Sequence, residues 1–435
     1  MSKAMGDLGD ALVQVTKLSS GLTVATQHMP SLRSVALGVW VGVGARHETL
    51  AEHGLSHLLE HMAFKGTERR SARDIVEEIE QVGGDMNAAT SIEQTAYYVR
   101  ALHEDVDLAV DVLADIVRNS TFDADELLRE KDVVLQEIAG LRDSPDDTIY
   151  DLVQDAAFPD HSIGRTIIGT PESVSAIGAS QLRSYLARHY SAGRMVVAAA
   201  GYVDHDRLVE SVRAAFDGLP QTERDVPERP TFSGGIRASD RPFEQAHLMI
   251  GWPSPAYVEP DFLGCQVLSA ALGGGMSSRL FQEVREARGL CYSIYSSAWG
   301  LSDAGFFTVH AATGEDLVAP LADVIVTELD KLAAAGLDDR ELARAKAQLR
   351  AGLMMSLESP AARAEQLARQ ILVHDRVILP DEIATRIDAV SAEDVRRLAQ
   401  RMRDETLPAV AVVGAGAASD ALAAHTARLF SGAPA

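Results

Sequence analysis

Two histidines and a glutamate lie within five residues in the segment His57-Leu58-Leu59-Glu60-His61. In a helix, with a rise of about 1.5 Å per residue and about 3.6 residues per turn, His57, Glu60 and His61 share one face. Two imidazoles at this spacing can bind one metal ion, and the carboxylate beside them can act as a base on water. The pattern H-x-x-E-H reverses the zinc-protease motif H-E-x-x-H and therefore indicates metal-assisted hydrolysis of a peptide bond.

The alternative interpretation of this segment is the polar face of an ordinary amphipathic helix. The opposite face is apolar, so the helix can pack on a core while its histidines face a cavity; the apolar residues are Leu55, Leu58, Leu59 and Met62. His53 lies four residues before His57 and offers a second possible pair. That pair would leave Glu60 in the wrong place for a base, so we reject it.

A catalytic zinc site usually has three protein ligands and one open position. The segment from 125 to 141 is predicted to be a helix, and its acidic residues include Glu126, Glu130 and Glu137. Glu130 and Glu137 share a face but lie about 10.5 Å apart along the helix axis, so only one of them is expected to bind the ion. Sequence spacing alone does not choose between them.

The segment Gly54 to Thr67 (GLSHLLEHMAFKGT), followed by Glu137 in a second helix, resembles the inverzincin peptidases of family M16. The closest branch is the group of short bacterial chains that resemble the mitochondrial processing peptidase. Other similar segments are Gly83 to Tyr98, Gly164 to Thr170 and Ser277 to Ser296. The resemblance extends over nearly the whole chain and implies a metallopeptidase with a processing-peptidase fold.

The resemblance also implies the roles of the metal-site residues. It assigns one Zn²⁺ per chain to His57, His61 and Glu137, with Glu60 as the general base. Glu130 matches an acidic residue that supports the site in that family.

Four further residues are implied to contact substrate. Asn87 and Ala88 match an edge strand to which a peptide adds as another strand, whereas typical sheet statistics favour an interior strand. Arg285 and Tyr292 match an arginine–tyrosine pair that contacts the peptide near the scissile bond. From the residues alone, a surface ion pair of Arg285 and a core position of Tyr292 are the favoured explanation of this second pair, and only the resemblance favours substrate contact.

Asp147 and Asp151 match two acidic residues that hold a substrate arginine in processing peptidases. The two lie four residues apart, so they share a helix face. However, Ser144-Pro145 is a typical helix start, and acidic residues are common in a first turn, so capping already explains Asp147.

The composition limits the possible function classes. The chain has 435 residues, a formal net charge of −23 and two cysteines. The negative charge argues against a nucleic-acid partner, and an acidic cavity would favour basic peptides. Two cysteines give no disulfide framework, and no apolar run is long enough for a membrane span. The N-terminus lacks a basic-then-apolar export signal, so we expect a cytoplasmic protein without a membrane partner.

The chain is predicted to contain two homologous α+β halves, each a mostly antiparallel β-sheet covered by α-helices. Residues 1–217 form the metal-binding catalytic domain, 218–240 a linker rich in Pro, Gly and charge, and 241–435 a homologous domain without metal. The repeat is visible in two helix–turn–helix segments, beginning at Glu104 and Glu315. Aligning these segments places Gly352 opposite Glu137, so the second half lacks the third ligand.

In the resembling family, two such two-domain halves enclose a chamber that admits unfolded peptides or presequence-like segments. This chain carries both the metal motif and the arginine–tyrosine pair. We therefore expect a homodimer in which Arg285 and Tyr292 act across the interface. The alternatives are a heterodimer with a metal-free homologue, a catalytically silent structural subunit and a peptide-binding chaperone.

Overall fold

The computed structural model describes residues 13–221, 227–404 and 407–430. These residues form two compact units. The first unit contains the described residues up to Ile138 together with Thr166–Pro227 and Met354–Asp381. The second unit contains Ala139–Arg165, Glu228–Leu353 and the described residues from Glu382 onward. Each unit combines a sheet with helices, which confirms the predicted α+β class.

The strands of the described chain are β1 (Val13–Lys17), β2 (Thr23–His28), β3 (Ser34–Val41), β4 (Asp85–Thr90), β5 (Thr95–Leu102), β6 (Met195–Gly201), β7 (Gly235–Ser254), β8 (Ser293–Gly300), β9 (Gly305–Thr313) and β10 (Ala409–Ala415). The helices are α1 (Leu55–Ala63), α2 (Ala72–Gln81), α3 (Val106–Arg118), α4 (Ala124–Arg142), α5 (Pro145–Ala157), α6 (Pro171–Ala176), α7 (Ala179–His189), α8 (His205–Ala215), α9 (Phe262–Gly273), α10 (Val318–Ala335), α11 (Asp339–Ser356), α12 (Pro360–His374), α13 (Pro380–Ala389), α14 (Ala392–Asp404) and α15 (Ser419–Arg428). None of the described helices combines the length and the apolarity needed to cross a membrane.

The sheet of the first unit has the strand order β1-β2-β6-β3-β5-β4. Strands β2 and β6 pair in parallel, and the other neighbouring pairs are antiparallel. Residues of β3 after Ser34 are buried throughout, as expected for a central strand covered on both faces. Strand β4 lies at an edge, next to the metal-motif helix α1.

The sheet of the second unit has the order β10-β7-β9-β8. Strand β10 pairs in parallel with the first part of β7, and its residues also lie opposite the later part, so that Val410 faces both Ile236 and Ile250. A parallel pair followed by antiparallel strands is also the succession β2-β6-β3-β5-β4 of the first sheet. The two halves are therefore structural repeats, and α9, which contains no histidine, takes the place of α1.

The observed units differ from the predicted domains because two helices are exchanged between the halves of the sequence. Helix α5 packs on β7 and β10 in the second unit, whereas α12 packs on β6, β3 and β2 in the first unit. Both helices begin with a Ser-Pro cap, at Ser144 and Ser359. Hydrophobic periodicity identifies the apolar face of such a helix but not the sheet that the face covers.

The predicted linker at 218–240 is also partly wrong. Strand β7 already begins at Gly235, so the last residues of the predicted linker belong to the second sheet. Residues 222–226 lie outside the described chain. Residues 227–234 contain no helix or strand, which agrees with the predicted break in periodicity.

Candidate metal centre

The start of α1 is fixed by a glycine and a distant carboxylate. Gly54 has a φ of 88°, and an added Cβ would lie 2.7 Å from the carbonyl oxygen of Ile168, so a larger residue does not fit. The buried Glu48 carboxylate accepts hydrogen bonds from the backbone N–H groups of Gly54 (2.9 Å) and Ser56 (2.6 Å). These donors at a helix N-terminus have no partner inside the helix, and the helix dipole favours a negative charge there.

Three possible ligand atoms converge beside α1. The Oε2 atom of Glu137, on α4, lies 3.8 Å from Nε2 of His57 and 3.6 Å from Nε2 of His61. All three atoms lie within 4.8 Å of one another. Two ligands of one zinc ion, each about 2.1 Å from the metal, are separated by at most roughly 4.2 Å, and both distances from Glu137 to the histidines lie below this limit. Two imidazoles and one carboxylate are also ligand types that zinc prefers.

The protonation state of His57 suits a metal ligand. Burial, and then the neighbouring His61, lower the pKa of His57 to about 4, so its ring is neutral near pH 7. A ligating imidazole must be neutral, because the metal takes the lone pair that a proton would otherwise occupy. Nδ1 of His57 is buried without a hydrogen-bond partner among the described residues, and the ring packs against that of His61 with the centroids 4.7 Å apart.

Glu130 contacts the other side of the His61 ring. Its Oε2 atom lies 3.0 Å from Nδ1 of His61, and its Oε1 atom lies 2.7 Å from Nζ of Lys65. A proton on Nδ1 leaves the lone pair of Nε2 directed toward Glu137, which is the usual way a neighbouring carboxylate orients a metal-binding histidine. Lys65 was not predicted, although it lies four residues after His61 and was within the segment that carries the resemblance.

Glu60 lies on the same helix and is held by the edge strand of the sheet. Burial raises the pKa of Glu60, while the hydroxyl of Thr90, which donates a hydrogen bond of 2.6 Å to Oε2, opposes this rise. Thr90 is the last residue of β4, so the carboxylate is connected to the edge strand. Sequence reasoning missed Thr90, because nothing in the hairpin pattern distinguishes it from other strand residues.

Asn87 and Ala88 lie on β4, which is an edge strand as the resemblance implied. Ala88 is buried, whereas Asn87 is exposed and its Oδ1 atom accepts a hydrogen bond of 2.8 Å from the backbone N–H of Ala88. An edge strand has backbone groups on one side without a strand partner, and a peptide can pair with them.

Arg285 and Tyr292 lie next to each other in the second unit. The guanidinium of Arg285, in the π-helical turn Phe281–Glu286, lies 4.6 Å from the ring centroid of Phe281 and 4.9 Å from that of Tyr292. Nε of Arg285 also lies 3.8 Å from Oε1 of Glu286, which is a surface ion pair of the kind that the alternative explanation requires. Stacking on the two rings fixes the plane of the guanidinium. Tyr292 is 76% exposed, so it does not fill a core.

Asp147 and Asp151 are exposed on α5, also in the second unit. The backbone N–H of Asp147 donates a hydrogen bond of 3.3 Å to Oγ of Ser144, which is the predicted cap. The capping explanation is therefore present in the structure, and the arginine-binding role stays a prediction.

Two family models match the chain. The model described as insulinase (peptidase family M16) matches residues 23–171, and the model described as the peptidase M16 inactive domain matches residues 176–349. The first match contains His57, Glu60, His61 and Glu137.

Several relatives are similar over most of their length. An uncharacterized zinc protease of Streptomyces coelicolor is 39% identical over 418 residues, which cover 94% of this chain and 91% of the relative. An uncharacterized zinc protease of Mycobacterium leprae is 41% identical and covers 92% and 91% of the two chains. One of Bacillus subtilis is 38% identical and covers 89% and 94%.

Among solved structures, a protease from Helicobacter pylori has a TM-score of 0.84 at 22% identity and covers 92% of this chain and 99% of its own. A peptidase M16 inactive domain from Pseudomonas fluorescens has the same TM-score and identity, with 92% and 98% covered. These structures show the same fold.

Proposed function

We propose that this chain, which belongs to the insulinase family of peptidases (family M16), is a zinc-dependent endopeptidase that cleaves unfolded peptides or presequence-like segments. The observation that carries the proposal is the convergence of His57, His61 and Glu137 beside Glu60. The relatives named zinc proteases support the same reaction class.

Different residues of the site would bind the metal and transfer the proton. Zinc held by His57, His61 and Glu137 would supply a Lewis acid that acidifies water and polarises a carbonyl. Glu60, whose pKa is raised by burial, accepts the proton of the attacking water and passes it to the leaving amine. Thr90 holds one oxygen of Glu60 by its hydrogen bond, so the carboxylate keeps a fixed orientation.

The edge strand supports the proposed preference for unfolded substrates. A peptide that pairs with β4, at Asn87 and Ala88, is bound through its backbone, and only an extended segment can offer that edge. The base is hydrogen-bonded to the end of the same strand, so a peptide on β4 would run beside it. Arg285 and Tyr292 would donate hydrogen bonds to substrate carbonyls, and Asp147 and Asp151 would pair with a basic side chain.

We also propose that two copies of the chain enclose a chamber. The support is the family resemblance and the presence of both the metal motif and the arginine–tyrosine pair in one sequence. A heterodimer with a metal-free homologue is the alternative. In either assembly, a closed chamber admits unfolded peptides and excludes folded proteins.

The substitution Glu60→Gln tests the proposed function. The variant should bind zinc as the wild type does but lose nearly all cleavage of a fluorogenic peptide, because an amide cannot accept the proton. Zinc content is measured by mass spectrometry, and Glu80→Gln, at an exposed position on α2, is the matched control. Substantial residual cleavage by Glu60→Gln would show that Glu60 is not the base. If the wild type binds peptide without cleaving it, the proposed peptidase activity is wrong.

A further inference from the structure

A second group of possible metal ligands lies in the second unit, on the face of its sheet that α5 covers. His247 is on β7, His310 is on β9 and Asp146 is in the first turn of α5. We propose that Asp146, His247 and His310 bind a second divalent metal ion of the zinc type. This site is separate from the peptidase centre, and its argument does not depend on the proposed function.

The distances among the three side chains fit one ion. Nδ1 of His247 lies 3.2 Å from Nε2 of His310, and Oδ1 of Asp146 lies 3.5 Å and 3.9 Å from these two nitrogens. Three atoms with these separations can all lie about 2.1 Å from a common point, which matches bonds from zinc to nitrogen and carboxylate oxygen. The separations resemble those of the first centre, where Glu137 lies 3.8 Å and 3.6 Å from its two histidines.

The strand register brings the two histidines together. His247 pairs with Ala312, and His310 pairs with Met249 and with Tyr295. Side chains alternate between the faces of a sheet, so His247, His310 and Tyr295 point to the same face. The ring centroids of the two histidines lie 5.3 Å apart. The opposite face, with Leu248 and Ala311, belongs to the apolar core of the unit.

A tyrosine pair orients His310. The hydroxyl of Tyr295 lies 2.9 Å from Nδ1 of His310, and the hydroxyl of Tyr150 lies 3.0 Å from that of Tyr295. Nε2 of His310 is therefore the nitrogen that faces His247 and Asp146. Tyr150 lies four residues after Asp146 on α5, so one helix face supplies both a ligand and the end of this hydrogen-bond chain. A polar partner on the second ring nitrogen is common for metal-binding histidines.

The repeated structure of the first unit shows that helix packing alone does not require this cluster. Helix α12 covers the first sheet with apolar contacts that include Trp40, Ala364 and Leu367. After the shared Ser-Pro cap, Ala361 occupies the position that Asp146 has in α5. Two imidazoles that are 4% and 1% exposed are costly to bury unless their ring nitrogens have partners, and a metal ion would provide a partner for one nitrogen of each ring.

The donor set and its exposure define the kind of site. Two imidazoles and one carboxylate suit zinc and similar transition metals rather than calcium or magnesium, which prefer oxygen ligands. The Asp146 side chain is 67% exposed, so an ion can enter from solvent on that side. Because the ligands come from α5, β7 and β9, a bound ion would join the exchanged helix to its sheet. Loading of the site with metal should therefore stabilise the second unit.

Metal counting in variants tests the proposal. After incubation with ZnSO₄ and removal of loose metal, the wild type should retain two zinc ions per chain, and His57→Ala/His61→Ala should retain one. Adding Asp146→Asn to that variant should lower the affinity for the remaining zinc ion by more than about tenfold, because a ligand charge is lost. The affinity is measured by competition with a chelator. His205→Asn in the same background is the control, since His205 is buried and contacts Thr16 and Thr26 but lies outside the cluster.

Two further readouts make the outcome decisive. Zinc should raise the melting temperature of His57→Ala/His61→Ala and not that of the variant with Asp146→Asn, whose exposed position allows it to fold normally. His247→Asn should act as Asp146→Asn does. If His57→Ala/His61→Ala retains no zinc, or retains it equally with and without Asp146→Asn, the cluster is a hydrogen-bonded histidine pair and the proposal is wrong.

Discussion

At the scale of single residues, two glutamates on one helix reach opposite sides of the same imidazole. Glu137 faces Nε2 of His61, and Glu130, seven residues earlier, faces Nδ1. The axial separation that prevents both from binding one ion is also what allows one to orient the ligand while the other completes the set. The carboxylate of Glu130 also pairs with Lys65, and this ion pair fixes the position of Glu130.

Glu130→Gln is therefore expected to weaken zinc binding without removing a ligand. An amide is a poorer acceptor for the Nδ1–H of His61, and such changes beside a metal site typically cost about 10- to 100-fold in affinity. The dissociation constant for zinc is measured by competition with a chromogenic chelator. Glu126→Gln is the control, because Glu126 pairs with Arg129. Equal zinc affinity in Glu130→Gln and the wild type would contradict the orienting role.

A buried histidine outside the metal centre should make stability depend on pH. Burial, and then Arg188 and His47, lower the pKa of His189 to about 4, and the Nε–H of Arg188 donates a hydrogen bond of 3.0 Å to its Nε2 atom. In the unfolded chain the pKa of a histidine is about 6.5. Between about pH 6.5 and pH 4, His189 is therefore protonated in the unfolded chain and neutral in the folded chain. The contribution of His189 is full above pH 6.5 and is lost as the pH falls from there toward 4.

His189→Gln should remove this part of the pH dependence. Between pH 7 and pH 5, the free energy of unfolding of the wild type should fall by about 2 kcal/mol more than that of the variant. Urea denaturation at both pH values measures the difference, and His103→Gln, at an exposed position, is the control. The same fall in the wild type and in His189→Gln would show that the pKa of His189 does not differ between the folded and the unfolded chain.

At the scale of helices and strands, the sequence predicts what is local. The spacing of His57, Glu60 and His61 and the apolar side of the segment both require a helix, and α1 is one. Ser71 and Asp74, three residues apart in the sequence, cap α2 reciprocally, which is a contact that sequence spacing alone can indicate. Spacing could not select Glu137, because Glu130 presents the same residue type on the same face. The resemblance, and not the residues alone, supplied that choice.

The exchange of α5 and α12 could not be predicted from the hydrophobic pattern of either helix. The buried face of α5 includes Ile149 and Val153, and that of α12 includes Leu367. Both patterns are ordinary amphipathic helices, and each would satisfy either sheet equally well in a count of apolar residues. The choice of sheet depends on the path of the chain in space, so the predicted domain boundaries could not include it.

Paired cavity substitutions should reveal this exchange in solution. Leu367→Ala should cost about 2–5 kcal/mol of stability, because Leu367 is fully buried against the first sheet. In the Leu367→Ala variant, amide hydrogen exchange should become faster in β3 and β6. Ile149→Ala, the matched substitution in α5, should increase exchange in β7 and β10 instead. The opposite assignment, with each helix affecting the sheet of its own sequence half, would contradict the exchange.

At the scale of the whole molecule, one chain contains both parts of the proposed machinery. The metal residues belong to the first unit, whereas Arg285 and Tyr292 belong to the second. The match to an inactive-domain model over 176–349 fits a half that retained the fold and has no metal-binding motif of the H-x-x-E-H type. A half without that motif is retained most simply if it still contributes to substrate binding, and in a homodimer it can do so for the partner copy.

Mixing two inactive variants tests whether the halves act between chains. Glu60→Gln keeps the substrate-binding pair, and Arg285→Ala keeps the base. If Arg285 serves the partner's site, statistical exchange makes half of the dimers mixed, each with one intact site, and about a quarter of wild-type activity should return. Mixing Arg285→Ala with the double variant Glu60→Gln/Arg285→Ala is the control and should restore nothing. Subunit exchange is verified with chains of different mass, and if exchange occurs without any return of activity, Arg285 acts within its own chain.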